Sequence, residues 1–221
     1  MTQVLQVLVP MLCNGLKLTM EISVLGILFG FIIGSVTGYA LQGHSKVAKA
    51  VAGVYIWVIR GTPLVVQALY MYFAIPALLS AILGYNFDIP STTSGIIVIS
   101  LNSGAFISTI VKGALEGVDI GQTEAGKSLG LKNSQVLWHL VVPPAFRSML
   151  PALFNQFIIS VKDTALLSMI SVNEITRQTQ NYIAMSFLTL QAYTVCALFY
   201  LVLLSILMVL QKMMEKKFSL K

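Results

Sequence analysis

The chain has 221 residues, 57% of them hydrophobic and 10% charged, with a formal net charge of +6 at pH 7. This is far from a soluble average, and several stretches reach the ~20 apolar residues that a helix needs to cross a bilayer core. A soluble domain is set aside on that ground, and the positive charge reads first as a topology signal rather than a nucleic-acid footprint.

In chain order, residues 1–13 place Val4, Leu5, Leu8, Val9 and Leu12 at helical spacing, opposite Thr2, Gln3 and Gln6. That pattern predicts a short interfacial helix. The first basic residue is Lys17, so the charged start of a cleaved signal peptide is not expected. A first span is predicted over 16–41, with Gly26, Gly30, Gly34 and Gly38 at intervals of four, a spacing that either makes a groove for another helix or is merely tolerated in lipid. Gly43, His44, Lys46 and Lys49 form a polar turn. The second span, 51–83, is broken by Arg60-Gly61-Thr62-Pro63, and a turn-rich loop over 84–93 follows it. The third span is 95–115, carrying Asn102 and Ser103; the fourth is 151–170, interrupted by Lys162-Asp163-Thr164; the fifth is 192–210. Cys13 and Cys196 sit in apolar surroundings without metal-ligand spacing and read as small buried hydrophobes, so no metal site is expected.

The fold class is therefore an all-α membrane protein with about five transmembrane helices. Lys46, Lys49, Lys112, Lys127, Lys132, Arg147 and the tail residues Lys212, Lys216, Lys217 and Lys221 fall on one side, against Arg177 on the other. The positive-inside rule puts the 116–147 loop and the C-terminus in the cytoplasm and the N-terminus outside.

Charges within spans are costly and normally mark a pathway or a partner. Arg60 lies ~14 Å, and Lys162 and Asp163 ~17 Å, from one face, and Asn102 lies ~10 Å from the other, all near the middle of a ~30 Å core. Gly61 and Pro63 free backbone groups at that depth, which is tolerated only where protein or water covers them. Two readings stand: a structural Arg60–Asp163 ion pair, or a clamp for a zwitterion. In the clamp, Arg60 and Lys162 attract a carboxylate and Asp163 an ammonium, with Thr62, Gln67, Asn102, Ser103 and Thr164 adding neutral hydrogen bonds.

Residues 121–128, GQTEAGKS, match the phosphate-loop pattern G-x-x-x-x-G-K-S letter for letter. The context argues against nucleotide binding. Such a loop follows a buried strand and opens a long helix, whereas here a membrane helix precedes it and Gly130 closes the segment. The local pattern instead predicts two short helices. Asp119 caps the first, with Gln122 at capping-box spacing, and Gly130 ends it. Asn133 or Ser134 caps the second, and Pro143-Pro144 stops it. The segment is either a docking knob or an ordinary interfacial loop.

Glu124-Ala125-Gly126, Gly130, and then Leu140-x-Val142-Pro143 resemble the EAA signature of ABC importer permeases. Further stretches resemble the polar amino-acid members of that family. They are Asn14-Gly15 with Thr19, the run from Tyr55 to Gln67 that holds Arg60-Gly-Thr-Pro, Leu101-Asn102-Ser103-Gly-Ala-Phe106, and Val161-Lys162-Asp163-Thr164-Ala-Leu166. The resemblance implies a single permease domain over 1–221 of type I importer architecture in a bacterial cell membrane, without catalysis or a cofactor of its own. It further implies that Glu124, Ala125, Gly126, Gly130, Leu140 and Pro143 dock on an ABC ATPase subunit, present in two copies, which uses the ATP. The other implied partners are a second permease subunit, identical or a close paralogue, an extracytoplasmic substrate-binding protein and a polar amino acid. Departures from the family pattern are Gly126 for Ala, Pro144 for Gln, Thr109 for an acidic residue and Asp163 for Glu; the Lys-Asp-Thr run points to cystine-type members. A secondary carrier or channel that works without an ATPase is the alternative.

Overall fold

The computed structural model describes residues 2–218; Lys221 lies outside them, as do the side chains of Thr2 and Gln3. Among the described residues every element is helical: α1 (Thr2–Gln42), α2 (Lys46–Gly61), α3 (Leu64–Leu69), α4 (Ile75–Leu83), α5 (Ser91–Glu116), α6 (Ile120–Ser128), α7 (Asn133–Val136), α8 (Val142–Asp163), α9 (Ile175–Ser186) and α10 (Thr189–Phe218). Two π-helical turns, Tyr70–Ala74 and Leu137–Val141, and a 3-10 segment, Thr164–Ile170, join neighbouring helices. Five stretches are long and apolar enough to cross a membrane, namely Val4–Gln42, Leu64–Leu83, Ser91–Glu116, Asn133–Ile170 and Thr189–Lys217. The fold class and the number of spans agree with the sequence pattern.

Three boundaries differ from those expected. Of the stretch expected as an interfacial helix, the described residues 2–13 do not form a separate helix: α1 runs unbroken for 41 residues, a rod of ~61 Å. Its first apolar stripe, Val4, Leu8 and Leu12, is buried against Ile175, Tyr182, Ala192 and Val195 of α9 and α10. An amphipathic stripe gives the buried face but not whether lipid or protein covers it. The second expected span, 51–83, is divided at Thr62 and Pro63, which are both extended, so the stretch long enough to cross begins at Leu64. Third, Pro143 and Pro144 stop nothing. They lie in the first turn of α8, directly after a wider turn that accommodates the missing N–H, and helical structure continues from Asn133 to Asp163.

The π turns have a common local cause. In each, the last donor reaches five residues back, Ile75 N–H to the Tyr70 carbonyl and Val142 N–H to the Leu137 carbonyl, and a proline follows at once, Pro76 or Pro143. The proline has no N–H for the regular ladder, and a wider turn restores continuity.

The centre of the bundle is α5, whose buried face includes Ser94, Val98, Asn102, Ala105 and Ile107. The glycines of α1 lie against it. A Cβ at Gly34 would stand 2.7 Å from the Ile107 Cβ and 2.9 Å from the Gly104 carbonyl oxygen, and one at Gly38 2.7 Å from the Ser108 carbonyl oxygen. The four-residue spacing is therefore a helix contact and not mere tolerance in lipid. Beside this contact, the Ser103 and Ser160 hydroxyls share a buried 2.9 Å hydrogen bond that ties α5 to α8. Cys196 is buried as expected, whereas Cys13 is exposed on α1.

The start of α9 is held by Glu174, which is fully buried. Its carboxylate accepts from Thr176 N (2.8 Å), Arg177 N (2.7 Å) and the Tyr200 hydroxyl (3.0 Å). A side chain at Gly15 would meet Ile175 N at 2.8 Å, so the absent Cβ lets α1 pass over this turn.

Candidate translocation and coupling sites

The break between α2 and α3 follows from Pro63. With no N–H at position 63, the Ile59 carbonyl has no helical partner. The Gln67 amide fills that place: Nε2 donates to the Ile59 carbonyl at 2.7 Å and to the Thr62 carbonyl and Oγ1 at 3.0 Å each. The Thr62 hydroxyl donates to the Val58 carbonyl at 2.8 Å. Two residues expected to bind substrate thus use their donors to hold the break together. The Gln67 Oε1 is buried without a partner and remains an acceptor.

Arg60 ends α2 with its guanidinium carbon 4.7 Å from the centroid of the Phe106 ring. It makes no ion pair with Asp163, so the structural pair anticipated from the sequence is not formed. A cation over an aromatic face is a recognised resting place for a guanidinium, worth ~0.5–2 kcal/mol depending on its exposure. Phe106 was passed over as a site residue, although its position four residues after Asn102 puts both on one face of α5.

Lys162 and Asp163 end α8, where the backbone tightens into the 3-10 segment. Lys162 is exposed and Asp163 half-buried. Thr164 is fully buried, and its hydroxyl donates to the Val161 carbonyl at 2.8 Å, so it offers nothing to a solute. Ser103 is likewise committed, to Ser160. Asn102 is 8% exposed and its amide makes no hydrogen bond among the described residues. The eight expected pathway residues therefore divide. Arg60, Lys162, Asp163 and Asn102 keep free polar capacity, whereas Thr62, Gln67, Ser103 and Thr164 mainly stabilise the irregular backbone and the helix contacts behind them.

At the lysine-rich end, α6 is capped by Asp119, whose Oδ1 accepts from Gly121 N at 2.8 Å, while Gln122 contributes its backbone N–H to the Asp119 carbonyl. Gly130 is left-handed (φ 77°). The bonds Leu131 N to Gly126 O and Gly130 N to Lys127 O complete a glycine-ended helix, as the sequence predicts. The next helix is capped differently from expectation. Lys132 is its N-cap residue, with its N–H donating to the Gln135 Oε1 at 2.9 Å, and Asn133 is already helical. The phosphate-loop octapeptide is itself α-helix, so most of its amides are committed to the helix rather than turned towards an anion.

Gly126 is buried, and a Cβ there would fall 2.6 Å from the Leu140 Cδ1 and 3.0 Å from the Val136 Cγ2. The unusual glycine thus has a packing reason: it lets α6 rest directly on the run that becomes α8. Glu124, Ala125 and Pro143 are exposed, Gly130 is exposed at the turn, and Leu140 is half-buried. Beside Glu124 and Ala125 stand Ile120 and Leu129, 72% and 80% exposed. These two were not singled out from the sequence, although they lie four residues before Glu124 and four after Ala125, on the same outward face.

This bundle, with its split second span and its helix–glycine–helix knob, defines a multi-helix membrane permease. Residues 4–220 match the family described as binding-protein-dependent transport system inner membrane component, and the chain belongs to that family. It is 40% identical over 209 residues to the glutamine transport system permease protein GlnP of Escherichia coli (strain K12), covering 95% of this chain and 93% of that one. The L-cystine transport system permease protein TcyB of Bacillus subtilis (strain 168) is 33% identical, covering 94% and 86%. The arginine transport system permease protein ArtQ of the same organism is 31% identical, covering 95% and 93%. Among solved structures, the crystal structure of an amino acid ABC transporter with histidines superposes with a TM-score of 0.84 at 31% identity, covering 95% and 94%. The MetNI methionine ABC transporter in an inward-facing form matches in fold, with a TM-score of 0.74 at 17% identity, covering 94% of this chain and 96% of that one. The type I ABC importer-like fold and the resemblance to polar amino-acid permeases agree with these relatives.

Proposed function

We propose that the chain is the membrane subunit of an ATP-driven importer that carries a polar amino acid into the cytoplasm by alternating access. Its lysine-rich end faces the cytoplasm, its N-terminus lies outside, and it works in the inner membrane of a bacterial cell. It has no catalytic site or cofactor of its own. Two copies of an ABC ATPase subunit hydrolyse the ATP, a second permease subunit completes the pathway, and an extracytoplasmic binding protein delivers the substrate.

One observation carries this reading. The helix α6 presents Glu124 and Ala125 outward between Ile120 and Leu129, and its inner face rests through Gly126 on Val136 and Leu140. From there helical structure continues to Lys162 and Asp163. A displacement of α6 is thus carried along ~46 Å of helix to the charged end of α8. The interface residues are then Glu124, Ala125, Gly126, Gly130, Leu140 and Pro143. At the far end, Arg60 and Lys162 attract the carboxylate of the amino acid, Asp163 its ammonium, and Asn102 a neutral polar group. Thr62, Gln67, Ser103 and Thr164 shape that pathway from behind. The relative at 40% identity makes glutamine the first substrate to test, followed by cystine and arginine.

The test is uptake by the complex reconstituted in proteoliposomes with its ATPase and binding protein, using a panel of labelled amino acids. Uptake should require ATP inside the ATPase-bearing compartment. Arg60→Ala and Asp163→Asn should each lower uptake while the subunits still co-purify; normal uptake in both variants would overturn the clamp. Uptake by the chain without an ATPase would overturn the whole scheme.

A further inference from the structure

Two cavities meet at the lysine-rich end of α1. The first, of about 560 Å³, is almost wholly apolar and lies between the last turns of α1 and α5 and the start of α8, with Phe31, Val36, Val111, Leu115, Val142 and Phe146 among its walls. The second, of about 440 Å³, is polar and is lined by Gln42, His44, Thr123, Lys127 and Asn133. Tyr39 and Leu137 line both, so the two are adjacent. From these cavities we infer that this end of the chain binds an anionic phospholipid, with its phosphate in the polar chamber beside Lys127 and His44 and an acyl chain in the apolar slot.

The geometry favours that occupant. The slot begins at Tyr39, at the end of α1, and reaches back to Phe31, ~12 Å deeper along the helix. The walls from α5 and α8 run the same way, from Leu115 to Val111 and from Val142 to Met149. Polarity therefore changes along the helix axes, which is the direction of the membrane normal, from a cationic chamber to a hydrocarbon slot. A protein segment would not need that gradient, but a lipid has it built in. Tyr39, 56% exposed, stands at the junction, and Trp138, 67% exposed, lines the slot next to the shared Leu137; amphipathic rings of this kind gather at a membrane interface. No carboxylate lines the polar chamber to oppose an anion. Lys127 is exposed and lines the chamber four residues from Thr123, and it makes no ion pair among the described residues, so its ammonium is available. A basic pocket between transmembrane helices is a general mode of anionic headgroup recognition.

Lipid occupancy can be read out without measuring substrate transport. The chain has two tryptophans, so Trp57→Phe leaves Trp138, a wall of the slot, as the sole reporter in the full-length chain. This protein is placed in phosphatidylcholine vesicles that contain a small fraction of acyl-brominated lipid, either phosphatidylglycerol or phosphatidylcholine. Brominated phosphatidylglycerol should quench Trp138 at a mole fraction about fivefold lower than brominated phosphatidylcholine, the ratio expected of one cationic contact near a charged surface. Adding Lys127→Gln and His44→Gln, both at exposed positions, should erase that difference while retaining ordinary quenching by either lipid. Val36→Phe, which narrows the slot without adding an indole, should reduce quenching by both lipids. Equal quenching by the two lipids in the Trp57→Phe protein would overturn the inference, as would a preference that survives the double substitution. Absence of quenching by either lipid would mean that a second copy of the chain covers the slot, and would overturn it too.

Discussion

If Gln67 is a brace rather than a substrate ligand, its removal must appear first in stability. In Gln67→Leu the Ile59 carbonyl loses its 2.7 Å partner, and the Thr62 carbonyl and hydroxyl lose bonds of 3.0 Å each. Thr62 is exposed and can find water, so the Ile59 carbonyl dominates. An unsatisfied, partly buried acceptor costs about 1–3 kcal/mol. For a chain of this size that corresponds to a lowering of Tm by roughly 2–10 °C. The measurement is thermal unfolding of the detergent-solubilised complex with and without substrate, alongside the kinetics of uptake. A brace predicts the same loss of Tm in both conditions and a fall in maximal uptake as Arg60, at the end of α2, loses its position over Phe106. A ligand predicts an unchanged Tm without substrate and a raised half-saturation concentration. Pro63→Ala supplies an N–H opposite the Ile59 carbonyl, so the double variant should be less destabilised than the sum of the two single changes. An unchanged Tm in Gln67→Leu, with only the half-saturation concentration affected, would refute the brace.

Two further outcomes follow from the geometry. Gly34→Ala should destabilise the protein by about 1–3 kcal/mol, because the new methyl meets the Ile107 Cβ and the Gly104 carbonyl rather than a flexible chain end. Gly53→Ala, with nothing within 4 Å, should be neutral or stabilising by up to about 1 kcal/mol; equal Tm shifts in the two variants would contradict the α1–α5 contact. Burial pushes the Glu174 carboxyl up to about 7 despite the backbone donors of Thr176 and Arg177 and the Tyr200 hydroxyl, which lower it. The folded state therefore holds the proton more tightly than the unfolded chain does. The stability this contributes is complete at about pH 4.5 and below, and it is lost as the pH rises through about 7. Tm should fall across that window and Glu174→Gln should flatten the slope; parallel profiles for the two proteins would count against it.

Much of the fold could be read from the sequence because membrane helices announce themselves by length and apolarity, and Asp119, Gly130 and the break at Pro63 are governed by local backbone rules. What could not be read depends on contacts between distant segments. Val4, Leu8 and Leu12 form the same stripe whether lipid or α9 and α10 cover it. Pro143 reads as a stop until the π turn before it is seen to absorb the missing donor. Gly126 read as an unexplained departure, because its reason is Leu140, fourteen residues on. For the site, residue type identified the polar positions in the apolar spans but not how their hydrogen bonds are used, which is why Thr62, Gln67, Ser103 and Thr164 appeared as ligands beside Arg60 and Asp163. Phe106 stayed hidden because an aromatic in an apolar helix looks like any other packing residue until a guanidinium is found above it.

The division of labour among these polar groups bears on selectivity. Broken backbone needs donors to occupy the carbonyls that the break exposes, and in this chain those donors are the hydroxyls of Thr62 and Thr164 and the amide of Gln67. Neutral side chains so engaged cannot also read the side chain of a passing solute. The groups left free are mainly charged, and charges address the ammonium and carboxylate that every amino acid shares. Under the proposed function the membrane subunit then selects the zwitterion as a class, with the free Asn102 amide as its main means of distinguishing one amino acid from another. Under the same proposal, finer choice falls to an extracytoplasmic binding protein. Exchanging the binding protein should therefore change the amino acid imported more than any substitution at Thr62, Ser103 or Thr164, whose effects should be on rate and stability.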